Sequence, residues 1–174
     1  MIQAAAGASI ALFVCAAAWL DFRTHRIPNG LTVAGLAVAL ILRAPLGVDA
    51  LIQGLTGLGL AFVISLVLYL LRAIGGGDVK LLAAVGAFLG SSEILGALGL
   101  IAVLGAGFAL LSVIRRGLLP LLIFNTLDLV KSWRSLGQSG QTRKLESPAA
   151  LTIPYAVPIA LGTLIWWFGE GVHL

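Results

Sequence analysis

LIQGLTGLGLAFVISLVLYLL, residues 51–71, carries no charged side chain from end to end. A helix rises about 1.5 Å per residue, so about 20 residues cross the ~30 Å hydrocarbon core of a bilayer. Inside that core every backbone N–H and C=O must be satisfied within its own segment, which makes this run a spanning helix. Working outward, Ile2–Leu20 is a second unbroken apolar stretch. It has no positive flank before it and further spans after it, so it reads as a retained helix, not a cleaved signal. Leu31–Leu42 is a shorter span, whose far end is either Leu42 or, past Arg43, as far as Val48. Leu81–Gly90, Ile94–Ile114 and Leu151–Phe168 complete the set. The expected fold is all-α and polytopic, with about six transmembrane helices in a single membrane-embedded domain over residues 1–174.

Composition agrees. Apolar residues make up 60% of the chain and charged residues 10%, more apolar surface than a soluble domain of this size can hide. The 22 glycines fit helices that touch backbone to backbone, since packing between spans gains from small residues; Gly86 and Gly90 are such a pair. Cys15 is the sole cysteine and lies in an Ala-rich apolar run, so it reads as a packing residue, with no disulfide and no CxxC pair for zinc. Residues 115–150 form the longest polar interruption. Leu118–Trp133 mixes apolar residues with Asn125, Asp128 and Lys131, the pattern of a helix lying in the interface, and Ser135–Ser147 reads as a polar loop.

The net charge of +4 is a matter of topology. With the N-terminus outside, the cytoplasmic segments hold Arg23, Arg26, Arg72, Lys80, Arg115, Arg116, Lys131, Arg134, Arg143 and Lys144, leaving only Arg43 on the other side. Those residues meet cytoplasm and anionic headgroups, so the basic balance calls for membrane lipid as a partner and no nucleic acid. Both chain ends then lie outside.

This layout places two acids at one face. Asp21 ends the first helix on the cytoplasmic side, and Asp78 opens the fourth on that same side. Each has an ordinary reading: Asp78 as a helix cap, Asp21 as an interfacial acid beside Arg23 or Arg26. Taken together they support chemistry. Two neighbouring carboxylates share a proton, one accepting a proton from an attacking water while the other hydrogen-bonds the peptide carbonyl. That hydrolysis needs no metal and no cofactor. Gly75-Gly76-Gly77, read as the end of a loop, lets an extended substrate lie close to the backbone.

Gly75-Gly76-Gly77-Asp78-Val79-Lys80 resembles the GxGD-x-K signature of prepilin peptidases, membrane aspartic proteases that process type IV pilins. Asp21 followed by Arg26-Ile27-Pro28-Asn29 is similar to that family's other catalytic segment. Ile153-Pro154-Tyr155-Ala156-Val157-Pro158 resembles the segment opening the family's last helix, with Ala156 where longer members often carry Gly. The resemblance implies that Asp21 and Asp78 are the catalytic pair. Gly75, Gly76, Gly77, Lys80, Pro154 and Tyr155 then form the expected substrate-contacting set, with Lys80 either steadying the loop or meeting lipid phosphate. It also implies a site in the bacterial cytoplasmic membrane and a prepilin substrate: a short charged leader ahead of an apolar helix, cut at their junction after a Gly. The chain begins at the first helix without the paired CxxC segment of bifunctional members, so it looks like the short, Tad-type members handling Flp-like pilins, with peptidase activity and no methyl transfer.

Three other readings compete. An ion-coupled transporter would relay protons through intramembrane carboxylates, but a pair at one face is no relay to the midplane. A non-cutting assembly subunit would not require both acids. Proteases of the presenilin type carry a Tyr-Asp pair where this chain has Leu20-Asp21.

Overall fold

The structure is a computed structural model that describes residues 2–115, 117 and 155–170. Every regular element among them is helical: α1 Ile2–Thr24, α2 Asn29–Arg43, a 3-10 turn Ala44–Leu46, α3 Val48–Leu70, α4 Gly76–Leu89, α5 Ile94–Arg115 and α6 Ala156–Gly169. The protein is an all-α polytopic membrane protein. Four helical stretches have the length and apolar character to cross a bilayer: Ile2–Thr24, Asn29–Leu46, Val48–Leu70 and Ile94–Arg115. α6 is apolar but shorter. The segment assigned above to an interfacial helix and polar loop, like the first residues of the last span, lies outside the described residues. Contacts group Met1–Gly105 with Pro154–Leu174 as one compact unit and Ala106–Ile153 as another. The site lies in the first.

Three boundaries differ from the sequence expectation. The polar connection begins late, because α1 continues through Asp21 to Thr24. At the interface a helix can carry polar residues at no desolvation cost, and here they fasten it. The Arg23 guanidinium lies 4.5 Å from the Trp19 ring centroid, and the Thr24 hydroxyl donates to the Leu20 carbonyl at 2.8 Å. The helix ends at His25, whose φ of +50° leaves the helical region. α2 then begins at Asn29, directly after Pro28, so Asn29-Gly30 is a helix start and not the turn its composition suggests. Likewise α4 begins at Gly76, which moves Gly76, Gly77 and Asp78 out of the expected loop and into its first turn.

α4 is the axis of this unit. It is 14 residues long, about 21 Å by helical rise, and its residues Asp78, Val79, Leu81, Leu82 and Ala84–Leu89 are all buried. It packs against α3 most extensively, then α2, with further contacts to α6 and α1. The α3 crossing is a backbone contact. A Cβ on Gly57 would collide with the Gly86 carbonyl and stand 2.7 Å from the Gly90 Cα, and one on Gly86 would collide with the Gly57 carbonyl and stand 2.8 Å from the Ala61 Cβ. Such small-residue contact replaces the hydrophobic drive that lipid does not supply. α1 lies along α6, where Gly7 accommodates the Trp167 indole, whose Nε1 is 3.0 Å from the position of a Cβ there. Phe13 and Phe88 pack with centroids 6.0 Å apart, joining α1 to α4.

Candidate functional site

The last turn of α1 is an unfavourable place for a buried acid, since the partial charge at a helix C-terminus is negative. Asp21 nevertheless sits there, 8% exposed. It is held from another helix: the Ala156 backbone N–H, at the start of α6, donates to Asp21 Oδ2 at 3.2 Å. The carboxylate therefore bridges the negative end of one helix and the positive end of another, fixing its oxygen in place.

Asp78 is 9% exposed and belongs to the first turn of α4, outside the four spanning helices. Its Oδ2 accepts the Gly75 N–H at 3.0 Å, so the side chain caps its own helix from the third helical position. Glycine at 75 leaves this cap undisturbed, because a Cβ there would stand 3.3 Å from that same oxygen and press it back by a few tenths of an ångström. Gly76 and Gly77 are less constrained; a Cβ on either meets Tyr69 or Ile27 at ordinary contact distance, 3.6 and 3.5 Å.

Three influences act on the Asp78 carboxyl. Burial raises its pKa, the Gly75 hydrogen bond lowers it, and the charge of Asp21 raises it, for a result of about 6. The two acids of separate segments thus feel one another in one electrostatic environment. Tyr155 adjoins them: it precedes Ala156, whose backbone N–H donates to Asp21. Its ring rests on Gly105, where a Cβ would strike the Tyr155 hydroxyl. Tyr155 also lines an apolar groove of about 290 Å³ shared with Ile64, Leu68, Ile74, Leu82 and Leu98.

The remaining motif residues hold this end of the unit together. Lys80 Nζ donates to Asn29 Oδ1 at 2.8 Å, linking the first turns of α4 and α2. Asn29 and Ile27, which the sequence offered only as part of the segment after Asp21 and with no role of their own, therefore contact the Gly-Asp segment through Lys80 and Gly77. Their position in the Ile-Pro-Asn run was the available signal. Pro154 lies outside the described residues. Among those described, no three His, Cys, Asp or Glu side chains come together as a metal ion would require.

Chemically, the arrangement offers two buried carboxyls of unequal environment at the ends of two helices, a tyrosine beside them and an apolar groove leading away. A shared proton on such a pair supports acid and base steps at one bond.

The family model for the type IV leader peptidase family matches residues 8–110, which include α1 from its second turn, α2, α3, α4 and most of α5. No curated protein and no solved structure matches the chain.

Proposed function

Because the chain belongs to the type IV leader peptidase family, a family of membrane-embedded peptidases, we propose that it is an aspartic endopeptidase removing the leader from type IV or Flp-like prepilins. The observation that carries this reading is the pairing of Asp21 and Asp78. Both are buried, they come from different helices, and the charge of one acts on the other.

Asp78, pushed up to about 6, is the member of the pair that keeps its proton into mildly acidic pH and acts as the acid, and Asp21 is the base. Asp21 takes a proton from water as the water oxygen bonds the scissile carbonyl carbon. Asp78 gives its proton to the carbonyl oxygen, forming a neutral tetrahedral diol. Asp21 then passes its proton to the amide nitrogen, the C–N bond breaks, and Asp78 recovers its proton from the remaining hydroxyl. The products are a leader acid and a free amine on the apolar helix. The distribution of basic residues supports placing this chemistry at the cytoplasmic face of the bacterial inner membrane, with both chain ends on the far side. Trp19 and Arg23, stacked on one another in the last turns of α1, are typical of that interface.

Membranes carrying the parent, Asp21→Asn or Asp78→Asn protein, co-expressed with a prepilin, test the reading by the gel shift of leader loss. Loss of cleavage in both inserted variants is expected. Cleavage at near-parent rate by either one rules out the shared-proton mechanism.

A further inference from the structure

At the end of α4 away from Asp78 lies the one buried cation among the described residues. Arg43 is 0% exposed. Its Nε donates to the Ala87 carbonyl at 2.9 Å, Nη2 to Phe88 at 2.8 Å and Nη1 to Ala50 at 3.1 Å. Ala87 and Phe88 are in the last turn of α4, where carbonyls have no partner within the helix. The guanidinium fork thus terminates α4 from α2 while also holding the first turn of α3. Two glycines make its slot. A Cβ on Gly54 would stand 2.7 Å from Arg43 Cδ, and one on Gly90 would stand 2.9 Å from Nη2.

Burying a guanidinium is costly unless its donors are matched, and an apolar side chain would fill the same space without that cost. What an apolar residue lacks is axial specificity. The flanks of α4 are Ala, Gly, Leu and Val against similar residues, contacts that define the separation of helices better than their slide along one another. Hydrogen bonds to two consecutive terminal carbonyls fix the slide. Asp78 is rigidly connected to that anchor by nine helical residues, about 14 Å.

We propose that Arg43 is a positioning residue: by gripping the last-turn carbonyls of α4 it sets the axial depth of that helix, and thereby the place of the Asp78 carboxyl opposite Asp21. This rests on the peptidase reading for its catalytic consequence but not for its structural one. Without the guanidinium, the freed carbonyls move toward water at their own end and draw Asp78 deeper.

The test has two arms. In a Cys15→Ala background, Asp78→Cys is labelled with a water-soluble maleimide, with and without Arg43→Met, Arg43→Lys or Gly54→Ala, the last placing a Cβ 2.7 Å from Arg43 Cδ and 3.2 Å from the Ala87 carbonyl, between the two partners of the grip. Labelling slowed about threefold or more by Arg43→Met and Gly54→Ala, and less by Arg43→Lys, is expected. In the second arm, with Asp78 intact, Arg43→Met lowers kcat on a prepilin about tenfold to a hundredfold while KM stays near the parent value, and Arg43→Lys recovers part of the loss. Each variant is scored only as the monodisperse, protease-resistant fraction, and Gly54→Ala carries the test if Arg43→Met yields none. Unchanged labelling in the folded variants overturns the proposal, as does a uniform loss of both constants that Lys does not relieve. Should the parent leave every prepilin uncut, the peptidase reading fails and the labelling arm still decides the role of Arg43.

Discussion

Replacing Asp78 by Asn should make the protein more stable at high pH and almost no different in acid. The Asp78 carboxyl has a pKa of about 6 in the folded protein against an ordinary value of 3.8, so the folded state binds its proton more tightly than the unfolded chain does. A raised carboxyl pKa contributes stability that is fully present below the unfolded value and is lost as pH rises through the folded one. Each pKa unit corresponds to about 1.4 kcal/mol. Integrated over the window, holding Asp78 ionised costs about 3 kcal/mol at pH 8 and about half a kcal/mol at pH 4. Asn keeps the size of the side chain and an oxygen to accept the Gly75 N–H, so the cap survives while the titration disappears. Denaturant unfolding in detergent at pH 4, 6 and 8, parent against Asp78→Asn, reads the difference directly. The gain should grow with pH and level off above about 7. A gain that is flat across pH, or a variant less stable than the parent at pH 8, refutes the account of Asp78 as a carboxyl whose ionisation its surroundings disfavour.

The same titration governs turnover: if Asp78 is the acid, cleavage falls as pH rises through about 6, a limb visible in the pH profile of kcat on membranes open to the buffer. Gly57→Ala forces α3 and α4 apart at their backbone contact and should cost about 1–3 kcal/mol in the same unfolding assay; Gly59→Ala, whose Cβ meets nothing within 4 Å, serves as the control. Lys80 and Asn29 should show a coupling of about 1 kcal/mol or less in a double-mutant cycle of stability, because their bond is exposed to solvent.

The spans were legible because lipid imposes one rule on every residue they contain, and the two acids because they break that rule at the same face. What sequence could not supply was the partner of each polar group. Asn29-Gly30 has the composition of a turn, yet Pro28 starts a helix there and the Asn side chain is taken up by Lys80, whose choice between loop and lipid the sequence left open. The Gly75-Gly76-Gly77 run has the composition of a flexible loop, yet Asp78 caps it into helix. Arg43 entered the charge pattern as the lone basic residue on the outer side. Its enclosure depends on Gly54 and Gly90, 36 residues apart in sequence and adjacent only after α3 and α4 cross. Asp21 was readable as a candidate, but its hydrogen bond to Ala156 spans 135 positions and follows from no local pattern.

The brevity of α4 bears on insulation. A membrane that stores energy as an ion gradient tolerates no leak through its proteins, and hydrolysis requires that water reach the peptide bond. A core helix of about 21 Å in a bilayer of ~30 Å admits water at one end only if the other is stoppered. At that far end the Arg43 guanidinium sits on the last-turn carbonyls, with Phe88 and Leu89 buried beside it. The remaining barrier is the tightly packed stretch from Leu81 to Phe88, about two turns of helix. That stretch has to be nearly free of voids, which accounts for a segment of mostly small and medium apolar residues whose packing leaves almost none of them open to solvent.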